Sequence, residues 1–176
     1  MRFQTTTLSG VWLMDLDPHK DDRGFFVRTY CEREFEERGL NTRWPQCNLT
    51  MTSHRGSVRG MHYQAEPSPE IKLVRCAAGS IYDVLVDLRP DSPTFRGHEA
   101  FELTSRHHQQ LYVPAGVAHG FQCLEDGCQV FYQMSAEYVA HLARGIRYND
   151  PRVGIAWPLP VVQVSERDRA LPLLGP

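Results

Sequence analysis

A chain of 176 residues carrying 21 acidic and 19 basic side chains, formal net charge −2, is long enough for one domain with a sizeable core. It has no basic stripe and no block of like charge, which argues against a nucleic-acid partner and against a charged tail. No apolar run approaches the roughly eighteen residues of a membrane span, and the N-terminus has no signal-like apolar stretch, so the expectation is a soluble, cytoplasmic protein with no membrane partner.

The N-terminal residues (RFQTTT, then GVWLMDL) read as a short strand pair. Turn residues at Asp21-Asp22-Arg23-Gly24 then lead into a strand rich in aromatic and β-branched side chains, ending near Tyr30. Glu32–Arg38 (EREFEER) is the best helix candidate, with strong helix formers and Gly39 as a stop. From there short strands recur with a turn about every ten residues. They span Cys47–Ser53, Val58–Gln64, Ile71–Cys76, Ile81–Leu88, Glu99–Leu103, Leu111–Val113, Ala118–Leu124 and Val130–Ser135. Regular short strands with Gly, Pro, Asn and Asp punctuation predict an all-β sandwich or barrel. The segment after Asn149 is rich in proline and is expected to wrap over that barrel.

Five cysteines (Cys31, Cys47, Cys76, Cys123, Cys128) are odd in number and form no CxxC pair, so buried free thiols are expected rather than disulfides or a zinc ribbon.

The stretch Gln46–Lys72 concentrates chemistry. Arg59, His62 and Lys72 fall within fourteen residues of one another on strand-like segments, and Lys72 is one of only two lysines in the chain. A lysine inside a β run is costly to bury unless it is paired or used. Taken alone, Arg59 and Lys72 are equally readable as solvated strand-face charges and His62 as a core histidine. A tight turn at Ala78-Gly79 would set Lys72 and Val74 across from Leu85 and Asp83, making Lys72 and Asp83 diagonal neighbours able to form a buried ion pair. A second cluster, Pro114-Ala115-Gly116-Val117-Ala118-His119-Gly120-Phe121, delivers His119 to the start of a strand, and Tyr132 lies among apolar neighbours further on.

The ordered set is more specific than any piece. Asp21-x-Arg23-Gly24-x-Phe26, Gln46-x-Asn48, Arg59-Gly60-x-His62-Tyr63-Gln64, Lys72, Asp83-x-x-x-Asp87-x-Arg89, Ser92-Pro93-Thr94-Phe95, Pro114-x-Gly116-x-x-His119-Gly120-Phe121, Tyr132, Asn149-Asp150-Pro151 and Trp157-Pro158 fall in that order. In this the chain resembles the dTDP-4-dehydrorhamnose 3,5-epimerase family over essentially its whole length. The resemblance implies a cupin-like jelly-roll of β-strands with a few short helices, usually a homodimer, working without metal or organic cofactor. It divides the single domain into N-terminal strands (about 1–45), a jelly-roll core (about 46–140) and a C-terminal wrapping segment (about 141–176).

It also implies roles. His62 would be the base and Asp168 its carboxylate partner. Tyr132 would be the acid on the opposite face, and Lys72 would stabilise the enolate of a nucleotide-linked 4-keto-6-deoxyhexose. Arg23 and Arg59 would bind the diphosphate, Gln46 and Asn48 the sugar or phosphate, and Phe26 the nucleobase. Asp83 and His119 would line the pocket, and some of these residues would come from a neighbouring subunit. Two positions depart from the family pattern: Arg28 stands where glutamate is usual and Thr50 where serine is. A metal-binding cupin would want His-x-His where this chain has His62-Tyr63-Gln64. A metal enzyme using His62 and His119 is therefore the alternative of a different class, and a non-enzymatic nucleotide-sugar-binding protein a third.

Overall fold

Strand alternation sorts the side chains of this protein into an inside and an outside, and two facing sheets result. The structure is a computed structural model and describes residues 1–175. The first four strands are β1 (Arg2–Thr5), β2 (Trp12–Asp15), β3 (His19–Asp21) and β4 (Gly24–Phe26), followed by helix α1 (Glu32–Glu36). Then come β5 (Gln46–Thr52), β6 (Val58–Gln64), β7 (Lys72–Ala78), β8 (Ser80–Asp87), β9 (His98–Thr104), β10 (Gln109–Val113), β11 (Val117–Cys123) and β12 (Cys128–Met134). A short strand β13 (Ala143–Gly145) and helix α2 (Glu166–Arg169) complete the chain. One sheet has the order β1-β2-β10-β7-β12-β5 and the other β13-β6-β11-β8-β9, with β3 and β4 forming a separate hairpin. The expected all-β jelly-roll with short helices is what the chain forms.

The main core lies between the sheets, where Val74, Ile81, Leu85, Leu111, Val113, Phe121 and Val130 meet. β8 and β11 are buried on both faces, so apolar side chains predominate in them and their polar ones, among them Asp83 and His119, are buried with partners. Their outer face is covered by the C-terminal segment: Ile146 and Val153 pack on Met61, Val84, Val86 and Ala118. That segment is fastened by Arg147 Nε donating to the Leu171 carbonyl at 3.1 Å, and by a bridge between Ser57 and Gln163. α1 covers the outer face of the larger sheet through Phe35, which packs against Met14, Leu73 and Tyr112. It is two residues shorter than the sequence suggests, ending before Gly39, whose φ of +64° provides the stop.

The Asp87-x-Arg89 and Ser92-x-Thr94 positions form a loop clamp. The fully buried Asp87 carboxylate accepts from Arg89 Nε at 2.8 Å and Thr94 Oγ1 at 2.7 Å.

Three expectations are corrected. β7 and β8 do not pair, although only Gly79 separates them. β7 lies between β10 and β12, and β8 between β11 and β9, so the chain turns a corner from one sheet into the other at Gly79. A glycine turn signal is common to hairpins and sheet corners. The strand expected to run from the Asp21–Gly24 turn to Tyr30 stops at Phe26: it is β4, paired with β3 across a tight turn that the Asp21 carboxylate and the Arg23 N–H close at 2.9 Å, and residues 27–30 join no sheet. Of the five cysteines, all free, only Cys76, Cys123 and Cys128 are buried, while Cys47 is exposed. Among the described residues, no helix is long and apolar enough to cross a membrane.

Candidate active site

A cavity of about 580 Å³ opens between the sheets, lined from β5, β6, β7, β11, β12, β13 and α2. The motif Arg59-Gly60-x-His62 acquires its meaning here. In a regular strand residues 59 and 62 would point to opposite faces. The register of β6 against β11 pairs His62 with His119 and Arg59 with Phe121, so Gly60 and Met61 together oppose the single residue Gly120. This bulge turns Arg59 and His62 toward the same cavity. It demands glycine on both strands: a Cβ on Gly60 would sit 2.5 Å from the Gly120 Cα, and one on Gly120 would sit 2.6 Å from the Arg59 carbonyl oxygen.

His62 Nε2 lies 2.6 Å from Asp168 Oδ1, and the other carboxylate oxygen accepts from the Gly60 N–H at 3.1 Å. α2 presents Asp168 in this pose because Ser165 caps it, its hydroxyl accepting from the Asp168 N–H at 3.1 Å. Burial pushes the Asp168 carboxyl up, but the hydrogen bond and charge of His62 and the Gly60 N–H outweigh it and hold it below the ordinary carboxylate value. An ionised Asp168 on Nε2 fixes the proton there and leaves Nδ1 as the basic nitrogen of His62.

Lys72 is buried, with Nζ 3.0 Å from Glu70 Oε1 and 3.0 Å from the His62 carbonyl oxygen. His119 Nε2 meets the fully buried Asp83 at 2.8 Å. The expected Lys72–Asp83 ion pair is thus replaced by two separate pairs, although both side chains point into the barrel. Burial raises the Asp83 carboxyl, while His119 and then Lys72 pull it back.

Tyr132 sits edge-on to His119, ring centroids 6.0 Å apart. Burial pushes its pKa up to about 12, a rise only partly offset by a hydrogen bond to Thr50. It is a protonated phenol at any ordinary pH. Arg59 donates to Thr52 Oγ1 at 2.8 Å and to the Met51 carbonyl at 3.3 Å, remaining exposed at the cavity edge. Asn48 also lines the cavity, its amide against the Met134 sulfur.

Not every expected residue arrives. Gln46 is not among the cavity residues; it accepts from the Tyr138 N–H at 3.0 Å instead. Asp83 stands behind His119 rather than at the cavity surface. Arg23 and Phe26 lie on the β3–β4 hairpin, away from this cavity, with Phe26 72 % exposed and Arg23 held by Asp21 at 2.6 Å. Arg28, the departure from the family pattern, lies 4.0 Å from Glu34 and lines a separate small hollow with Phe26. Conversely, Glu70, Tyr138, Arg144 and Arg167 line the cavity without having been singled out. Arg167 adjoins Asp168, and Glu70 precedes Lys72 by two, the spacing that puts side chains on one strand face; both signals were present.

A jelly-roll of the cupin type with two histidine–carboxylate pairs, a buried lysine and a partly buried tyrosine at one cavity has the makings of a proton-transfer enzyme. The chain belongs to the dTDP-4-dehydrorhamnose 3,5-epimerase family, whose model matches residues 5–175. It is 40% identical over 171 residues to the dTDP-4-dehydrorhamnose 3,5-epimerase of Methanothermobacter thermautotrophicus, an alignment covering 96% of this chain and 91% of that one. The crystal structure of the Bacillus anthracis dTDP-4-dehydrorhamnose 3,5-epimerase with TDP and PPi bound superposes with a TM-score of 0.95 at 37% identity, covering 98% of this chain and 99% of that one. A Legionella pneumophila 3,5-epimerase in complex with dTDP-4-keto-L-rhamnose gives 0.92 at 33% identity, with 98% and 92% covered.

Proposed function

We propose that this protein is an isomerase that epimerises a nucleotide-linked 4-keto-6-deoxyhexose, inverting C3, C5 or both, the two carbons acidified by the C4 ketone. His62 removes the proton through Nδ1. Asp168 stabilises the imidazolium that forms. Lys72 faces the oxygen on which the enolate charge develops, and a cation fixed there acts as an oxyanion hole does. Tyr132, held protonated by burial, returns a proton to the opposite face. The single observation that carries this reading is that the His62–Asp168 pair and Tyr132 open on one cavity from different sheets.

The nucleotide diphosphate fits the arginines at the cavity edge, Arg59, Arg144 and Arg167, since guanidinium pairs with phosphate oxygens bidentately. The pocket is completed in a homodimer. Arg23 and Phe26 project from an exposed hairpin, and the outward face of edge strand β5 leaves Leu49 60 % and Met51 56 % exposed, an apolar surface suited to a second copy. A metal-dependent reading has less support. Nε2 of both His62 and His119 is occupied by a carboxylate, and among the described residues no group of three His, Cys, Asp or Glu is placed to hold an ion.

The test is incubation with dTDP-4-keto-6-deoxyglucose in D₂O, following the C3 and C5 protons by NMR. Exchange at both positions is expected. Exchange at one alone narrows the reaction to a mono-epimerisation. No exchange, with this substrate and with CDP- and GDP-linked analogues, overturns the reading.

A further inference from the structure

Lys72 stabilises the enolate charge in the proposed reaction, so what holds its ammonium in place matters. The lysine stem has four rotatable bonds and about 2 kcal/mol of rotamer entropy to lose when it is fixed. Here two contacts fix it: Glu70 Oε1 and the His62 carbonyl, both at 3.0 Å. An ammonium has three N–H donors. Two are engaged, and the third is left for the cavity that Lys72 lines.

The competing partner is also in place. Asp83 Oδ1 is buried and, among the described residues, has no hydrogen-bond partner. Lys72 lies near enough to be one of the charges that lower the Asp83 pKa against its burial. An orphaned carboxylate oxygen beside a buried lysine is where the ammonium would go if it lost its present anchor. Moved onto Asp83, it would be withdrawn toward the floor behind His119.

We propose that Glu70 is a positioning residue: through its Oε1 it tethers the Lys72 ammonium at the cavity and keeps it off Asp83. Glu70 itself is buried, with its second oxygen unpartnered among the described residues, so the Lys72 ammonium is the contact that offsets the cost of burying its charge. The role deepens the epimerase reading and rests on it.

The experiment compares Glu70→Gln and Glu70→Met in wild-type and Lys72→Met backgrounds, measuring kcat and KM on dTDP-4-keto-6-deoxyglucose together with C3 and C5 exchange in D₂O. A displacement of a reacting group by about 1 Å costs on the order of 10²-fold in rate. E70M is expected to lower kcat by about that factor with KM little changed. E70Q keeps an acceptor within reach of Nζ and is expected to retain most of the rate. On the K72M background E70M is expected to add no further loss, because the effect passes through Lys72. An E70M protein as fast as wild type, or one losing the same factor in both backgrounds, overturns the proposal. Should E70M fail to fold, Glu70→Ser, too short to reach Nζ, takes its place in the same comparison. Wild-type protein that exchanges no proton overturns the epimerase reading itself. Wild-type exchange with an unimpaired E70M or E70S overturns only the role of Glu70.

Discussion

Asp168, on the last helix, holds the imidazole of His62 at 2.6 Å across 106 positions of sequence while its other oxygen secures the Gly60 N–H at the bulge beside it. One carboxylate therefore orients the imidazole proposed as the base and anchors the strand distortion that presents it. The two duties separate on substitution. Asp168→Asn keeps an acceptor for Gly60 but no longer stabilises the imidazolium. It is expected to fold with nearly unchanged thermal stability and to lose on the order of 10²–10⁴ in exchange rate at C3 and C5. Asp168→Ala is expected to lose both activity and stability. Calorimetry alongside the deuterium wash-in assay checks the pair; a D168N variant as active as wild type would remove the dyad from the mechanism.

The bulge makes a prediction of its own. Gly60 has φ +112°, and a methyl there would meet the Gly120 backbone at 2.5 Å. Gly60→Ala combines a left-handed backbone with a clash that neither strand can relieve. The expected cost is about 3 kcal/mol or more, read as a lowered denaturation midpoint. The same change at Gly127, φ +69° with nothing within 4 Å of its Cβ position, is expected to cost much less.

This bulge also marks where the sequence stops being legible. Periodicity and turn residues suffice to place most of the strands from Gln46 onward, since β6 begins and ends where the alternation of VRGMHYQ does. They do not reveal which strands pair. Nothing local distinguishes the corner at Gly79 from a hairpin, so the turn signal sets Lys72 near Asp83, whereas its partner stands two residues upstream, at Glu70. The site followed the same division. His62, Lys72, His119, Tyr132 and Asp168 were identified through an ordered family pattern, and the structure brings all five to one cavity. Parity alone would have separated Arg59 from His62, because the extra residue of a bulge leaves no mark in composition.

Arg23 and Phe26 test the dimer. If their hairpin completes the pocket of a second copy, Arg23→Ala and Phe26→Ala raise KM with little change in kcat, the signature of lost binding that is uniform along the reaction. Mixing is more decisive. A His62→Ala protein and an Arg23→Ala/Phe26→Ala protein, each impaired alone, are expected to regain activity when unfolded together and refolded. A mixed dimer pairs one intact base with one intact hairpin at the same pocket. No recovery on mixing, with hetero-dimers demonstrated by mass, would place the hairpin outside the substrate site.

Tyr132 gives the pH dependence. Its phenol ionises near 10 in an unfolded chain and is pushed up to about 12 by burial in the native state. The native fold therefore favours the neutral phenol. That contribution is fully present below pH 10 and is lost as pH rises from about 10 through about 12, because the unfolded state releases the proton first. A shift of this size corresponds to roughly 2–3 kcal/mol across that window. Tyr132→Phe cannot ionise, so the stability difference between wild type and variant is expected to change by about that amount between pH 9 and 12. Urea denaturation at stepped pH measures it. The same burial keeps the Tyr132 phenol protonated throughout the working range, so any alkaline fall in turnover below pH 10 belongs to another group. Such a fall that vanished in the residual activity of Y132F would contradict this assignment.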